Sequence, residues 1–212
     1  MPTAKILGGI GFFQSHFLDN LDLFERLATE GQSPEVLWFG CSDSRVVPEL
    51  ITGAEPGDLF VTRNVANIVP PYGTGEMGVG AVVEYAVLHL HVAHVVVCGH
   101  TDCGGIKALD AQLDLSREPH IARWLEHARP AQTKVEASGL PEEERHLATV
   151  RENVLLQLEH LRSYDPVRDA ERVGSLTLHA WVYHLETGIV EAHDAQTGAW
   201  SALESERLAT VH

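Results

Sequence analysis

His94-Val95-Val96-Val97-Cys98-Gly99 runs directly into His100-Thr101-Asp102-Cys103-Gly104-Gly105. The first six residues form a nearly continuous apolar, β-branched run, the pattern of strands that a parallel sheet buries on both faces. The next six place two metal-ligating residue types three positions apart, and the glycine pair after them opens a helix. A buried strand that ends in reactive side chains and passes into a helix is the repeating unit of an open α/β sheet. Such sheets place their sites at the carboxyl ends of the strands.

A second copy of this design lies upstream, where Glu35-Val36-Leu37-Trp38-Phe39-Gly40 leads into Cys41-Ser42-Asp43-Ser44-Arg45. Asp58 to Val65 offers a further strand. Gly75 to Leu90 is apolar on nearly every face and predicts a buried helix. At the start, Ile10, Phe13, Phe17, Leu21, Phe24 and Leu27 recur every three or four residues, which predicts one amphipathic helix from Ile10 to Leu27, ended by Gly31. Helices are also expected over Pro119 to Glu136, broken at Pro130, and over Glu142 to Leu161. In the latter, Glu142-Glu143-Glu144 forms an acidic first turn. Ser175 to Leu185 turns at Glu186-Thr187-Gly188 and pairs with Ile189 to Ala192 as a hairpin, while 131–144 is the expected exposed excursion. Strand and helix alternate through most of the chain, so the fold class is α/β, a mainly parallel sheet flanked by helices.

With 212 residues, one α/β domain spanning 1–212 is expected, its residues 1–33 forming an N-terminal helical arm. The net charge of −15 argues against nucleic acid and anionic membranes as partners. Three cysteines, an odd number, suit a reducing compartment better than a disulfide scaffold. The N-terminal residues lack the apolar core of a signal peptide, and no apolar run approaches the roughly 18 to 20 residues that span a bilayer. A cytoplasmic location is the expectation.

Cys41, His100 and Cys103 make a ligand set for a catalytic Zn²⁺, two thiolates and an imidazole that leave the fourth corner of the tetrahedron free. Gly99, Gly104 and Gly105 are expected to permit close backbone approach around them. Asp43 has two possible parts. It can occupy the fourth zinc position, or it can pair with Arg45 and accept a hydrogen bond from water on the metal. The two exclude each other, so the arrangement is a switch that rising pH opens.

On these residues the chain resembles the β-class carbonic anhydrases. The resemblance covers nearly the whole chain and includes Arg63-Asn64-Val65-Ala66-Asn67 and Leu178-His179-Ala180-Trp181-Val182-Tyr183 besides the two motifs above. It implies reversible hydration of CO₂ to bicarbonate by zinc-bound hydroxide. The implied ligands are Cys41, His100 and Cys103, with Asp43 and Arg45 as a gating dyad. It also implies a parallel sheet with an antiparallel C-terminal addition, and self-association as a dimer or tetramer in which the N-terminal helix packs on a partner. Some bacterial members close the zinc site with the aspartate and bind inhibitory bicarbonate on a tryptophan, an arginine and a tyrosine, which match Trp38, Arg63 and Tyr183 here. The alternatives are a related zinc hydrolase acting on CS₂ or COS, and a bicarbonate- or zinc-binding protein without turnover. Cys98 reads as a small buried hydrophobe. His89, His91 and His94 read as solvated or core-satisfied, and Asp102 receives no catalytic role. The hydroxyl of Thr101 is expected to cap the helix that follows.

Overall fold

The computed structural model describes residues 2–111 and 113–203, which divide at Ser33/Pro34 into two compact units. The first is a pair of helices, α1 (Pro2–Asp19) and α2 (Leu21–Glu30), where the sequence pattern predicts one. The break falls at Asn20, whose φ of −126° is non-helical and whose side-chain Nδ2 donates to the His16 carbonyl at 2.8 Å. A side chain that competes for backbone carbonyls favours such a break. The apolar period continues across it because α2 folds back on α1. Phe17 stacks on Phe24 with ring centroids 4.6 Å apart, and Phe13 meets Phe24 edge-on.

The second unit is built on a six-stranded sheet of order β2-β1-β3-β4-β5-β6. Strands β1 (Val36–Cys41), β2 (Leu59–Asn64), β3 (His94–His100) and β4 (Thr177–Tyr183) run parallel. The strands β5 (Val190–His193) and β6 (Trp200–Ala202) add antiparallel. The expected hairpin is present as β4 and β5, and β6, too short to show a period, extends it.

Between the strands lie α3 (Pro48–Thr52), α4 (Met77–Glu84), α5 (Gly104–Lys107), α6 (Pro119–Leu125), α7 (Arg129–Glu136), α8 (Glu142–Arg162) and α9 (Asp165–Arg172). Leu37 and Phe39 of β1, Val95 and Val97 of β3, and Ala180 and Val182 of β4 share the main core with Val150, Val154, Leu158 and Leu161 of α8. Each of the Val, Leu and Phe side chains among them, fully buried, contributes about 1.5–3 kcal/mol. Gly99 sets how closely α8 approaches. A Cβ there would stand 2.8 Å from Val154 Cγ2 and 3.0 Å from Val150 Cγ1.

Three local expectations are corrected. The apolar stretch 75–90 is helical, α4 running into a π-turn at Tyr85–His89, but only Val83, Ala86 and Val87 are buried. Met77 is 84% exposed, and Tyr85 and Leu88 also face outward. Residues 131–136 are not an exposed excursion. They belong to α7, whose Ala131, Gln132 and Val135 are buried. There the polar Gln132 turns inward because Asp110 accepts from its Nε2 at 2.5 Å. Finally, the break before α7 precedes Pro130, which sits in the first turn, where its missing N–H leaves no hydrogen bond unmade. Among the described residues no helix is long and apolar enough to cross a membrane.

Candidate metal centre

The parallel register of β1 and β3 sets Gly40 beside Cys98, so the chain leaves both strands at the same end of the sheet. Cys41 closes β1 and His100 closes β3, and a left-handed residue, Asp102 (φ 58°), turns the chain so that Cys103 comes back beside them. The ligand atoms of Cys41, His100 and Cys103 lie within 4.8 Å of one another, and all three residues are buried. The two sulfurs are 4.0 Å apart. Thiolates at about 2.3 Å from a tetrahedral ion would be about 3.8 Å apart. His100 donates from Nδ1 to the Thr101 carbonyl at 2.8 Å, because a carbonyl can only accept. That leaves Nε2 bare, buried and without a partner, which is costly unless something binds it. The donor set, its spacing and this orphaned nitrogen fit a zinc ion.

The remaining polar contacts favour thiolate. Cys41 Sγ accepts from the Asp43 amide at 3.5 Å, and the backbone of Ala66 further lowers the thiol. The hydrogen bond from Cys103 draws the Cys41 thiol well below the usual range, and the same contact pushes Cys103 up. Without a cation the pair holds its last proton tightly, since two adjacent thiolates repel. Ala66 is presented by the turn after β2, where Ala66 (φ 61°) and Asn67 (φ 48°) are left-handed. Asn64 brackets that turn by exchanging two hydrogen bonds with Ile68, and Asn153 of α8 donates to the Ala66 carbonyl. Gly105 lets α5 reach it, since a Cβ would stand 2.9 Å from both Ala66 Cβ and Val65 Cγ1. Gly104 meets nothing within 4 Å, so the close approach expected of it is not needed.

Asp43 is in the arrangement paired with Arg45. The guanidinium donates from Nε to Oδ1 at 2.9 Å and from Nη2 to Oδ2 at 2.7 Å, and the Arg45 amide also donates to Oδ1 at 3.0 Å. These bonds hold the carboxyl far below the usual carboxylate range. Asp43 Oδ2 lies 3.9 Å from His100 Nε2, on the ligand side. The carboxylate is only 16% exposed while Arg45 is 47% exposed, so the dyad forms the outer wall of the centre. Sequence reasoning left out Asp102, which accepts from Arg45 Nη1 at 2.9 Å and from Lys107. Its left-handed backbone carries no sequence signal in an aspartate.

Thr101 does not cap α5, whose N-terminus has no side-chain cap. Its hydroxyl instead donates to Glu186 Oε2 at 2.6 Å and accepts from the Leu185 amide at 2.9 Å. Cys98 is buried with its thiol pushed up to about 12 by burial, in keeping with a small hydrophobe. His89 and His91 are exposed, and His94 meets His179 at 3.2 Å.

Trp38, Arg63 and Tyr183 lie along the face of the sheet opposite the main core. Trp38, Val96 and Cys98 form a small cluster joined by Val36, Val61, Trp181 and Tyr183, all from strands. A Cβ on Gly40 would stand 2.7 Å from Trp38 Nε1 and 3.8 Å from Arg63 Cγ, so both side chains border the space that glycine leaves. Trp38 Nε1 is buried with no partner. Arg63 donates from Nε to the Cys41 carbonyl at 2.9 Å and from Nη2 to the Asp43 carbonyl at 2.6 Å.

Comparison with known proteins agrees with this geometry. The carbonic anhydrase family matches residues 36–190. A carbonic anhydrase of Pseudomonas aeruginosa is 45% identical over 197 residues, covering 92% of this chain and 89% of that protein. The structure of the β-carbonic anhydrase CcaA superposes with a TM-score of 0.90 at 39% identity, covering 96% of this chain and 93% of the other. One of the tetrameric β-carbonic anhydrases of Sordaria macrospora superposes with a TM-score of 0.77 at 31% identity over 94% of this chain and 98% of that one.

Proposed function

The chain belongs to the carbonic anhydrase family, enzymes that interconvert CO₂ and bicarbonate, and we propose that it works with zinc held by Cys41, His100 and Cys103. The observation that carries this reading is the meeting of three buried donors within 4.8 Å, one of them an imidazole nitrogen with no other partner. Zinc, when bound, supplies the Lewis acidity that makes water nucleophilic near neutral pH.

The chain's own residues govern what else reaches that corner. Arg45 keeps Asp43 ionised, so the carboxylate only accepts hydrogen bonds. Oδ2 therefore favours a species that carries a proton over a bare anion. It also orients that species, since the fork of three N–H groups fixes the carboxylate plane. Closure would be the alternative state, in which Asp43 would leave Arg45 and hold the metal. Asp102 would still hold the guanidinium, so the pair can re-form without a search.

Bicarbonate on Trp38, Arg63 and Tyr183 is the regulatory part of the proposal. Arg63 brings charged donors, and its two hydrogen bonds end on the carbonyls of Cys41 and Asp43. An anion that recruits the guanidinium pulls on the segment carrying both the ligand and the gate. Self-association as a dimer or tetramer, and a reducing cytoplasm that suits three free cysteines, complete the reading.

Stopped-flow CO₂ hydration against pH, with zinc assayed on the same sample, tests it. Expected is about one zinc per chain and a rate that climbs with pH. Zinc-loaded protein that leaves CO₂ at the buffer rate at alkaline pH, or that turns over only COS or CS₂, overturns it.

A further inference from the structure

We propose that Thr101 and Glu186 form a strap between the β4–β5 turn and the metal centre that positions the His100 imidazole, a role that rests on the zinc reading above. The orientation of that ring depends on one bond, from Nδ1–H to the carbonyl of Thr101 at 2.8 Å. Partners of this kind fix the tautomer and aim of a ligating histidine. The carbonyl can serve only if its own peptide is held still.

Three hydrogen bonds hold Thr101. Its amide donates to the Tyr183 carbonyl at 3.0 Å, its hydroxyl donates to Glu186 Oε2 at 2.6 Å, and the same hydroxyl accepts from the Leu185 amide at 2.9 Å. The residue is buried, so its hydroxyl is satisfied in both senses by one turn. Immediately after it the chain enters the left-handed Asp102, a conformation that an unanchored aspartate seldom keeps.

The other end of the strap is rigid. The His184 amide donates to the Ile189 carbonyl and the Gly188 amide to the His184 carbonyl, both at 2.8 Å. The buried Glu191 on β5 takes two bonds from Arg151 of α8, at 2.7 and 2.6 Å, and lies 3.4 Å from His184 Nε2. Helix α8, the hairpin turn, Thr101 and His100 are thus one connected path. Glu186 itself is 60% exposed. A bond from such a residue adds little to folding, and its effect falls on the orientation of the Thr101 peptide.

The test compares the full-length zinc-loaded protein with Thr101→Val, Glu186→Ala, Glu186→Gln and the Thr101→Val/Glu186→Ala double variant. Two quantities are read: the rate of zinc transfer to an excess of a chromophoric chelator, and the thermal midpoint of zinc-stripped protein. Thr101→Val and Glu186→Ala should each release zinc about 10-fold faster. The double variant should be no faster than Thr101→Val alone, because that substitution already removes the bond to Glu186 together with the acceptor for the Leu185 amide. Glu186→Gln, which keeps an acceptor oxygen, should stay near wild type, and the zinc-free midpoint of Glu186→Ala should not move. Unchanged release in both single variants overturns the strap, and so does faster release matched by an equal loss of zinc-free stability. Wild-type protein that takes up no zinc overturns the metal reading along with it.

Discussion

The two faces of the sheet end in different kinds of polar group. On one face, Leu37 and Phe39 lead to Cys41 under the cover of α8, and the donors at the end converge on a single point. On the other, Trp38 and Gly40 lie beside Arg63 in a cluster made only of strand residues. There the guanidinium is spent on backbone carbonyls rather than on a neighbouring side chain. Convergence leaves an orphaned nitrogen and calls for an ion, whereas dispersion leaves one buried indole N–H and a tie through the backbone to the first face. Through Arg63 the second face can influence the first by moving the Cys41–Asp43 segment.

The sharpest break of that contrast is removal of a convergent donor. His100→Ala should abolish zinc binding, read by metal analysis, and bring CO₂ hydration down to the buffer rate. A variant that keeps stoichiometric zinc would show that the three donors do not meet on the ion. Asp43→Ala comes next. It should keep zinc and lower kcat by about 100-fold, the scale of a lost proton-handling group. The pH profile sharpens this. A depressed carboxyl is ionised at every pH above its unfolded value of about 3.9 and is lost only as pH falls below that. A wild-type inflection above pH 5 is then not Asp43 taking a proton, and because closure by Asp43 competes with opening, it should move to lower pH in Asp43→Ala.

Much of this contrast is legible in the chain because the ligating residues sit at strand ends, and strand ends are what a continuous β-branched run announces. Val95-Val96-Val97 fixes β3, and the spacing of His100 and Cys103 does the rest. What the sequence hid depends on backbone conformation or on distant partners. Ala66 is left-handed without being glycine, so nothing in the sequence marks the turn that follows β2. Asp102 joins the Arg45 network through the same conformation. The partner of Thr101 is 85 residues away on a turn that looks like any other. Periodicity misled where an apolar pattern crossed a break, as at Asn20, and where a helix apolar on all sides left Met77 and Leu88 exposed.

Gly99→Ala is the smaller test of how the covered face is built. Its Cβ would collide with two stiff valines of α8, so the fold should lose about 1–3 kcal/mol, read as a lower thermal midpoint. Because His100 follows directly, zinc release should also quicken. An unchanged midpoint would mean that α8 is free to recede and that the close approach is incidental.

Trp38→Phe probes the bare face and should have the smallest effect on catalysis. The ring is buried and bordered by Gly40, so phenylalanine keeps most of the apolar wall while deleting the unpartnered N–H. Zinc content and kcat in the absence of bicarbonate should stay within about twofold, because no atom of Trp38 bonds the ligand loop. Inhibition by added bicarbonate should weaken about tenfold, which is about 1.4 kcal/mol and on the scale of one intramolecular hydrogen bond. Inhibition as strong as in the wild type would place the regulatory anion elsewhere. The tie from Arg63 to the Cys41 and Asp43 carbonyls would then be a structural brace and not a route for a signal.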